Sequence, residues 1–317
     1  MNMSNADKKK FFAKVLLFGE YSVIFDGEAI TVPLKQFSGF FDFYADNTVK
    51  DLSAKQSNRK LRDFFRYLNS PEVSERFQYQ LDFNRLNVDL NRGMFFNSNI
   101  PQGYGAGSSG AMVAAIFDYY SFENPIASEN TNPETLNLVR QQLSLMESYF
   151  HGSSSGLDPM SSLLGKPFKL DTQKHITFPD LHLFSESFKK NIFLIDTGQA
   201  GDTRPLVNWF KENVEGNTLN AELLKALNNQ VVQALLKKNV LFFDSFLAQL
   251  SVFQFENMKP MIPDSIRPLW QQGIHTSDWT IKLCGSGGGG FMLGFTDNYN
   301  QAKKEIEDAG FKTLLLR

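Results

Sequence analysis

The stretch "PQGYGAGSSGA", Pro101–Ala111, sets three glycines at alternate positions, Gly103, Gly105 and Gly107. Ser108 and Ser109 follow, then a run of small and apolar residues, "AMVAAIFDYY". Glycine reaches positive φ and lets a backbone approach a ligand closely. A helix that begins just after such a loop offers unpaired N–H groups and the positive end of its dipole to an anion. The spacing is not a Walker A loop, because no Gly-Lys-Ser/Thr follows. Nor is it G-x-G-x-x-G, because the third glycine comes one residue early. On these residues alone two readings stand, a phosphate cradle and a flexible, serine-capped lead-in to a buried helix.

A second glycine stretch lies far downstream. "CGSGGGG", Cys284–Gly290, has glycine at five of its seven positions. A hairpin turn needs one or two. Each extra glycine costs roughly 0.5–1 kcal/mol of backbone entropy relative to alanine. The excess predicts close approach of the backbone to something, with a floppy turn as the alternative.

Two carboxylates stand between these stretches. The spacing predicts a helix over 133–150, with Asn132 as N-cap, Pro133 and Glu134 in its first turn, and Leu136, Val139, Leu143, Met146 and Phe150 as its apolar stripe. Glu147 follows Met146, beside the stripe, as either a solvated border residue or a metal ligand. Asp158 falls in "HGSSSGLDP", read as a polar loop of small residues. A nucleotide-dependent enzyme needs both kinds of group, one to hold Mg²⁺ and one to position or deprotonate the acceptor. Lys14 and Glu20 flank "KVLLFGE". Alone they read as an exposed strand lysine and a turn residue.

The remaining pattern bounds the class. A chain of 317 residues predicts two domains or one two-lobed unit. A net charge of −2 gives no electrostatic footprint for nucleic acid. No apolar run is long enough for a membrane span, and the first residues lack the apolar core of a signal peptide. One cysteine, Cys284, excludes an internal disulfide framework and fits a reducing, cytoplasmic setting. With four histidines and that one cysteine, a dedicated zinc site is not expected. The 31 dispersed phenylalanines predict aromatic cores.

Strands are expected over 11–34 (with a turn at Asp26-Gly27), 37–46, 77–90 and 191–198. Helices are expected over 58–70, 109–121 and most of 219–256. The stretch 280–295 reads as strand, glycine turn, strand, then 298–311 as a helix and 312–317 as a closing strand. Without a regular alternation of strand and helix, this is α+β: two lobes with mixed or antiparallel sheets and packed helices. The boundary is set near 180, with the Gly-Ser loop and the carboxylates in 1–180 and the second glycine loop in 181–317.

Taken together, "KVLLFGEYSV", "PQGYGAGSSGA" and "KLCGSGGGGF", in that order, resemble the GHMP kinase superfamily (galactokinase, homoserine, mevalonate and phosphomevalonate kinases). The middle motif is similar to P-x-G-x-G-L-G-S-S, with Ala106 in place of leucine. "HGSSSGLD" further resembles the H-G-x-P-S-G-x-D segment of the mevalonate kinases, with Ser154 for proline. The resemblance implies the GHMP kinase fold, ATP and Mg²⁺ as cofactors, and transfer of phosphate to the primary hydroxyl of mevalonate. It implies Asp158 as the catalytic aspartate, Lys14 as the active-site lysine, and Ser109 and Glu147 as magnesium ligands. It assigns Pro101, Gly103, Gly105, Ala106, Gly107, Ser108 and Ser109 to the nucleotide. Glu20, Tyr21, His151, Thr203, Gly285 and Ser286 would face the substrate, with Thr203 placed by "IDTGQAGDTRPLV". A small molecule is the partner it implies, and a homodimer is compatible with it.

One departure bears on the acceptor. Tyr21 stands where mevalonate kinases carry the histidine of G-E-H. "GEY" and Ser108-Ser109-Gly110 are similar to phosphomevalonate kinases, whose charged acceptor would call on Arg204, Lys166 or Lys169. The alternatives are therefore phosphomevalonate, a sugar or an amino alcohol as acceptor, and a binding protein of this fold that has lost catalysis.

Overall fold

The computed structural model describes residues 8–44, 52–123, 125–126, 131–181, 188, 190–215 and 218–316. In chain order the elements are β1 (Phe11–Phe18), a 3₁₀ turn (Ser22–Phe25), β2 (Ala29–Phe43), α1 (Leu52–Leu68), α2 (Pro71–Ser74), α3 (Phe83–Asn91), β3 (Met94–Ser98), α4 (Ser108–Tyr120), α5 (Pro133–His151), α6 (Leu157–Leu164), β4 (Phe168–Leu170) and β5 (Ile176–Thr177). There follow β6 (Asn191–Asp196), α7 (Thr203–Phe210) with a π-turn (Lys211–Glu215), α8 (Thr218–Leu236), α9 (Val240–Asn257), a 3₁₀ turn (Lys259–Met261), α10 (Arg267–Thr276), β7 (Thr280–Leu283), β8 (Phe291–Thr296), α11 (Tyr299–Asp308) and β9 (Lys312–Leu315). The expected α+β class is observed. Residues 45–46 of the strand expected at 37–46, and Arg317, lie outside the described residues.

Contacts group the chain into two compact units: Met1–Lys14, Pro33–Pro101 and Gly107–Lys166 in the first, and Val15–Val32, Gln102–Ala106 and Pro167–Arg317 in the second. The sequence predicts one division near 180, whereas these units interleave, because β1 and β2 each contribute residues to both.

In the first unit, β2 pairs antiparallel with β3, from Gly39↔Ser98 to Phe43↔Met94. α1 serves the backbone of β3. Ser57 Oγ bonds both the N–H and the C=O of Phe96 at 3.0 Å, and Asn58 donates to the Met94 carbonyl at 2.5 Å. α4 is the core of this unit, with Ala111, Val113, Ala114, Ala115, Ile116 and Phe117 all buried. α5 starts as its sequence predicts, with the Asn132 side chain accepting from the Thr135 N–H at 2.8 Å.

Residues 77–90 are a correction. No strand forms there, and the segment runs into α3. The Asp82 carboxylate accepts from the Arg85 N–H at 2.9 Å and caps the helix, which then buries Leu86 and Leu90 one turn apart. Of the predicted strand only Leu81 keeps a single bridge, to Ser121.

In the second unit, the sheet β7-β8-β6-β9 is antiparallel throughout. β7 lies at its edge, where bare N–H and C=O groups would invite other strands. α9 covers it: Ser251 Oγ donates to the Ile281 carbonyl at 2.6 Å, and Gln254 Oε1 accepts from the Leu283 N–H at 2.9 Å. Phe18, Phe243 and Phe295 pack together in the core, Phe18 stacked on Phe295 and Phe243 edge-on to both, as the phenylalanine content predicts. Among the described residues no helix is long and apolar enough to cross a membrane.

Candidate active site

In the first unit the site gathers at the start of α4. Gly107 is its N-cap, in the left-handed conformation (φ 75°, ψ 38°), and brings no side chain to the N–H groups of the first turn. A Cβ at Gly107 would stand 3.1 Å from Lys14 Cγ and 3.5 Å from Asp158 Oδ2. Only glycine combines that φ with that proximity.

Asp158 does not sit in a loop, as its sequence suggested. Gly156 adopts φ 74° and caps α6, so the chain turns directly into a helix with Asp158 in its first turn. Its carboxylate lies 2.9 Å from Lys14 Nζ. The lysine side chain is 3% exposed and the aspartate 31%, so the carboxylate keeps an open side.

Glu147 of α5 is buried, which removes the reading as a solvated border residue. It accepts from Ser109 Oγ at 3.2 Å and from Ser154 Oγ at 2.5 Å. Ser109 Oγ also lies 3.0 Å from His151 Nε2. Burial, with the negative charge of Asp158 adding to it, pushes Glu147 up to about 8, against the hydrogen bonds of Ser154 and Ser109 and the charge of Lys14. Glu147 and the hydroxyls of Ser109 and Ser154 bring hard oxygen donors together, the ligand type that suits a divalent cation such as Mg²⁺. No cluster of three or more His, Cys, Asp or Glu side chains able to hold a metal occurs among the described residues. Mg²⁺ is commonly held by one or two protein oxygens together with substrate phosphates.

α4 and α6 touch at Gly110, where a Cβ would stand 2.7–2.8 Å from the backbone carbon and Cβ of Asp158 and the nitrogen of Pro159. Gly110→Ala is therefore expected to cost about 1–3 kcal/mol by overpacking. A melting temperature equal to that of the unaltered protein would show that the two helices have room to spare.

The second unit holds the other glycines. Gly103 accepts from the Gly201 N–H at 2.8 Å, and a Cβ on Gly105 would lie 2.7 Å from the Cys284 carbonyl oxygen. Gly288 and Gly290 donate at 2.6 Å to the carbonyls of Met261 and Gln199. The close approach predicted for "CGSGGGG" is thus to the protein's own backbone. Residues 102–106 and 198–201 pack on the 284–290 turn with no side chains between. Ala106 is buried in the same unit.

Glu20 and Tyr21 are also buried. Glu20 Oε1 pairs at 2.7 Å with Lys282 Nζ, both side chains being 2% exposed or less. Lys282 also donates to the Leu283 carbonyl at 2.6 Å. Nothing local marks Lys282, because a lysine in "TIKL" reads as the outward residue of an alternating strand. Tyr21 sits at φ 61°, a conformation that costs a bulky residue of order 1–3 kcal/mol. Its hydroxyl donates to the Ser286 carbonyl at 2.7 Å, and its ring lies 4.3 Å from that of Phe210. Burial, aided by the Glu20 charge, holds its phenol well above the usual range.

Thr203 opens α7, and its side chain and that of Arg204 lie outside the described residues. Lys169 is taken up by Glu28 at 2.5 Å, while Lys166 is exposed.

No protein-family model matches the chain. The mevalonate kinase of Thermococcus onnurineus is 27% identical over 218 residues, 64% of this chain and 61% of that protein. The chain thus matches about three fifths of the length of its curated relatives. Leishmania major mevalonate kinase in complex with R-mevalonate superposes with a TM-score of 0.59 at 17% identity, covering 95% of this chain and 90% of that one. Streptococcus pneumoniae phosphomevalonate kinase, in complex with phosphomevalonate and AMPPNP, gives 0.62 at 15% identity over 97% and 99%. The structural likenesses show the fold. With the sequence similarity, they bear out the resemblance to the GHMP kinases and, within them, to mevalonate kinases.

Proposed function

We propose that this chain, which carries the fold of the GHMP kinases, transfers the γ-phosphoryl group of ATP to the primary hydroxyl of mevalonate. The observation that carries this reading is the Lys14–Asp158 ion pair, set beside the uncapped first turn of α4. The N–H groups of Ser108, Ser109 and Gly110 hold phosphate oxygens, aided by the helix dipole. Asp158 orients the acceptor hydroxyl and takes its proton as the new O–P bond forms. Lys14 offsets charge on the phosphoryl oxygens during transfer. Ser109 and Glu147 would hold Mg²⁺, whose charge neutralises the β- and γ-phosphates when it is bound. His151 and Ser154 keep those two ligands in place through their hydrogen bonds. The one cysteine, buried Cys284, supports a cytoplasmic setting.

The similarity of "GEY" and Ser108-Ser109-Gly110 to phosphomevalonate kinases supports a second reading, with phosphomevalonate as acceptor. A coupled ADP-release assay with ATP, Mg²⁺ and, in turn, mevalonate, phosphomevalonate, galactose and homoserine separates the two. The proposal expects the highest kcat/KM with mevalonate. A higher value with phosphomevalonate selects the second reading, and no release with any acceptor overturns both.

A further inference from the structure

Among the described residues Tyr21, Asp26, Lys174, Lys238 and Ser277 are the non-glycine residues at positive φ, and Tyr21, an aromatic residue at φ 61° and ψ −40°, stands outside the left-handed well. Such a conformation persists only where the surroundings over-determine it. Here they do so at consecutive residues. Glu20 grips Lys282 within β7, and Tyr21 grips the carbonyl of Ser286 in the turn that follows. The Phe210 ring lies 4.3 Å from that of Tyr21 and 6.1 Å from that of Phe25, to which it is nearly parallel at 7°. The Tyr21 side chain is left 6% exposed. Most of its surface is thereby committed to the protein.

The gripped turn rests directly on the first glycine loop. A Cβ at Gly285 would stand 3.1 Å from Gly105 Cα, and the Phe291 N–H donates to the Tyr104 carbonyl at 3.3 Å. A Cβ at Gly290 would strike the Tyr104 backbone outright. At Gly285 and Gly290 the contact is backbone against backbone, so a shift of the turn there is passed to Tyr104 and Gly105.

We propose that Tyr21 is a positioning residue: its hydroxyl latches the β7–β8 turn at Ser286 and, through that turn, fixes the shape of residues 103–105, which the sequence resemblance assigns to the nucleotide. This rests on the nucleotide use proposed above. Tyr21 then acts on ATP, whereas the sequence resemblance assigned it to the acceptor.

The test is Tyr21→Phe, which keeps the ring on Phe210 and removes the hydroxyl alone. ADP binding by calorimetry is expected to weaken about three- to tenfold, the worth of one hydrogen bond. Amide hydrogen exchange is expected to quicken at 103–106 and 285–290, while β6 and β8 exchange as before. Unchanged ADP affinity with unchanged exchange overturns the latch. A change confined to the KM of the acceptor also overturns it, and makes Tyr21 an acceptor contact. If the unaltered protein does not bind ADP, the nucleotide reading fails, and exchange in the free protein still decides whether the hydroxyl holds the turn.

Discussion

Asp158→Asn is expected to fold as the unaltered protein does and to turn over about 10²–10⁴-fold more slowly, the range lost with a positioned base. Asparagine matches aspartate in shape, and its carbonyl oxygen can still face Lys14 Nζ, which lies 2.9 Å from the carboxylate. The first turn of α6 and its cap, Gly156, are untouched. What is removed is the charge that, in the proposed reaction, draws the proton from the acceptor hydroxyl. Steady-state kinetics with ADP binding measured alongside would check this, since binding should persist while kcat falls. Near-normal turnover would take Asp158 out of the chemistry.

The largest stability effect is expected at Glu20 and Lys282. The ammonium of Lys282 is fully enclosed, with the Glu20 carboxylate and the Leu283 carbonyl as its oxygen partners. Glu20→Leu leaves that charge buried beside a single neutral acceptor and should cost about 3–5 kcal/mol in denaturant unfolding. Adding Lys282→Met to the same chain should recover most of the loss, because an apolar pair of similar volume owes no desolvation. Equal losses in the single and double variants would mean that packing rather than charge sets the cost.

Local chemistry made much of this fold legible. The Asn132-Pro133-Glu134 start and the stripe from Leu136 to Met146 specify α5 without help from elsewhere, and β7, the glycine turn and β8 follow their own residues. Alternation misled at 77–90, where one cap, Asp82, selects a helix over a strand of equal hydrophobicity. Gly156 did the same for Asp158, turning an apparent loop into the start of α6. The motifs point to Lys14, Ser109, Glu147 and Asp158, and the structure brings them together in one unit. Lys282 was not found, because its partner lies 262 residues away and nothing in "TIKL" marks a buried cation. The glycines of 285–290 mark a close approach, and the neighbour is the protein's own loops. A tertiary contact of that kind has no local trace in sequence.

Phosphorus NMR of the reaction products shows whether the phosphoryl group of ATP reaches mevalonate. With ATP, Mg²⁺ and mevalonate, the prediction is one phosphomonoester resonance growing in step with ADP and carried on the primary hydroxyl. ADP appearing with inorganic phosphate alone, or no change in ATP, would contradict it.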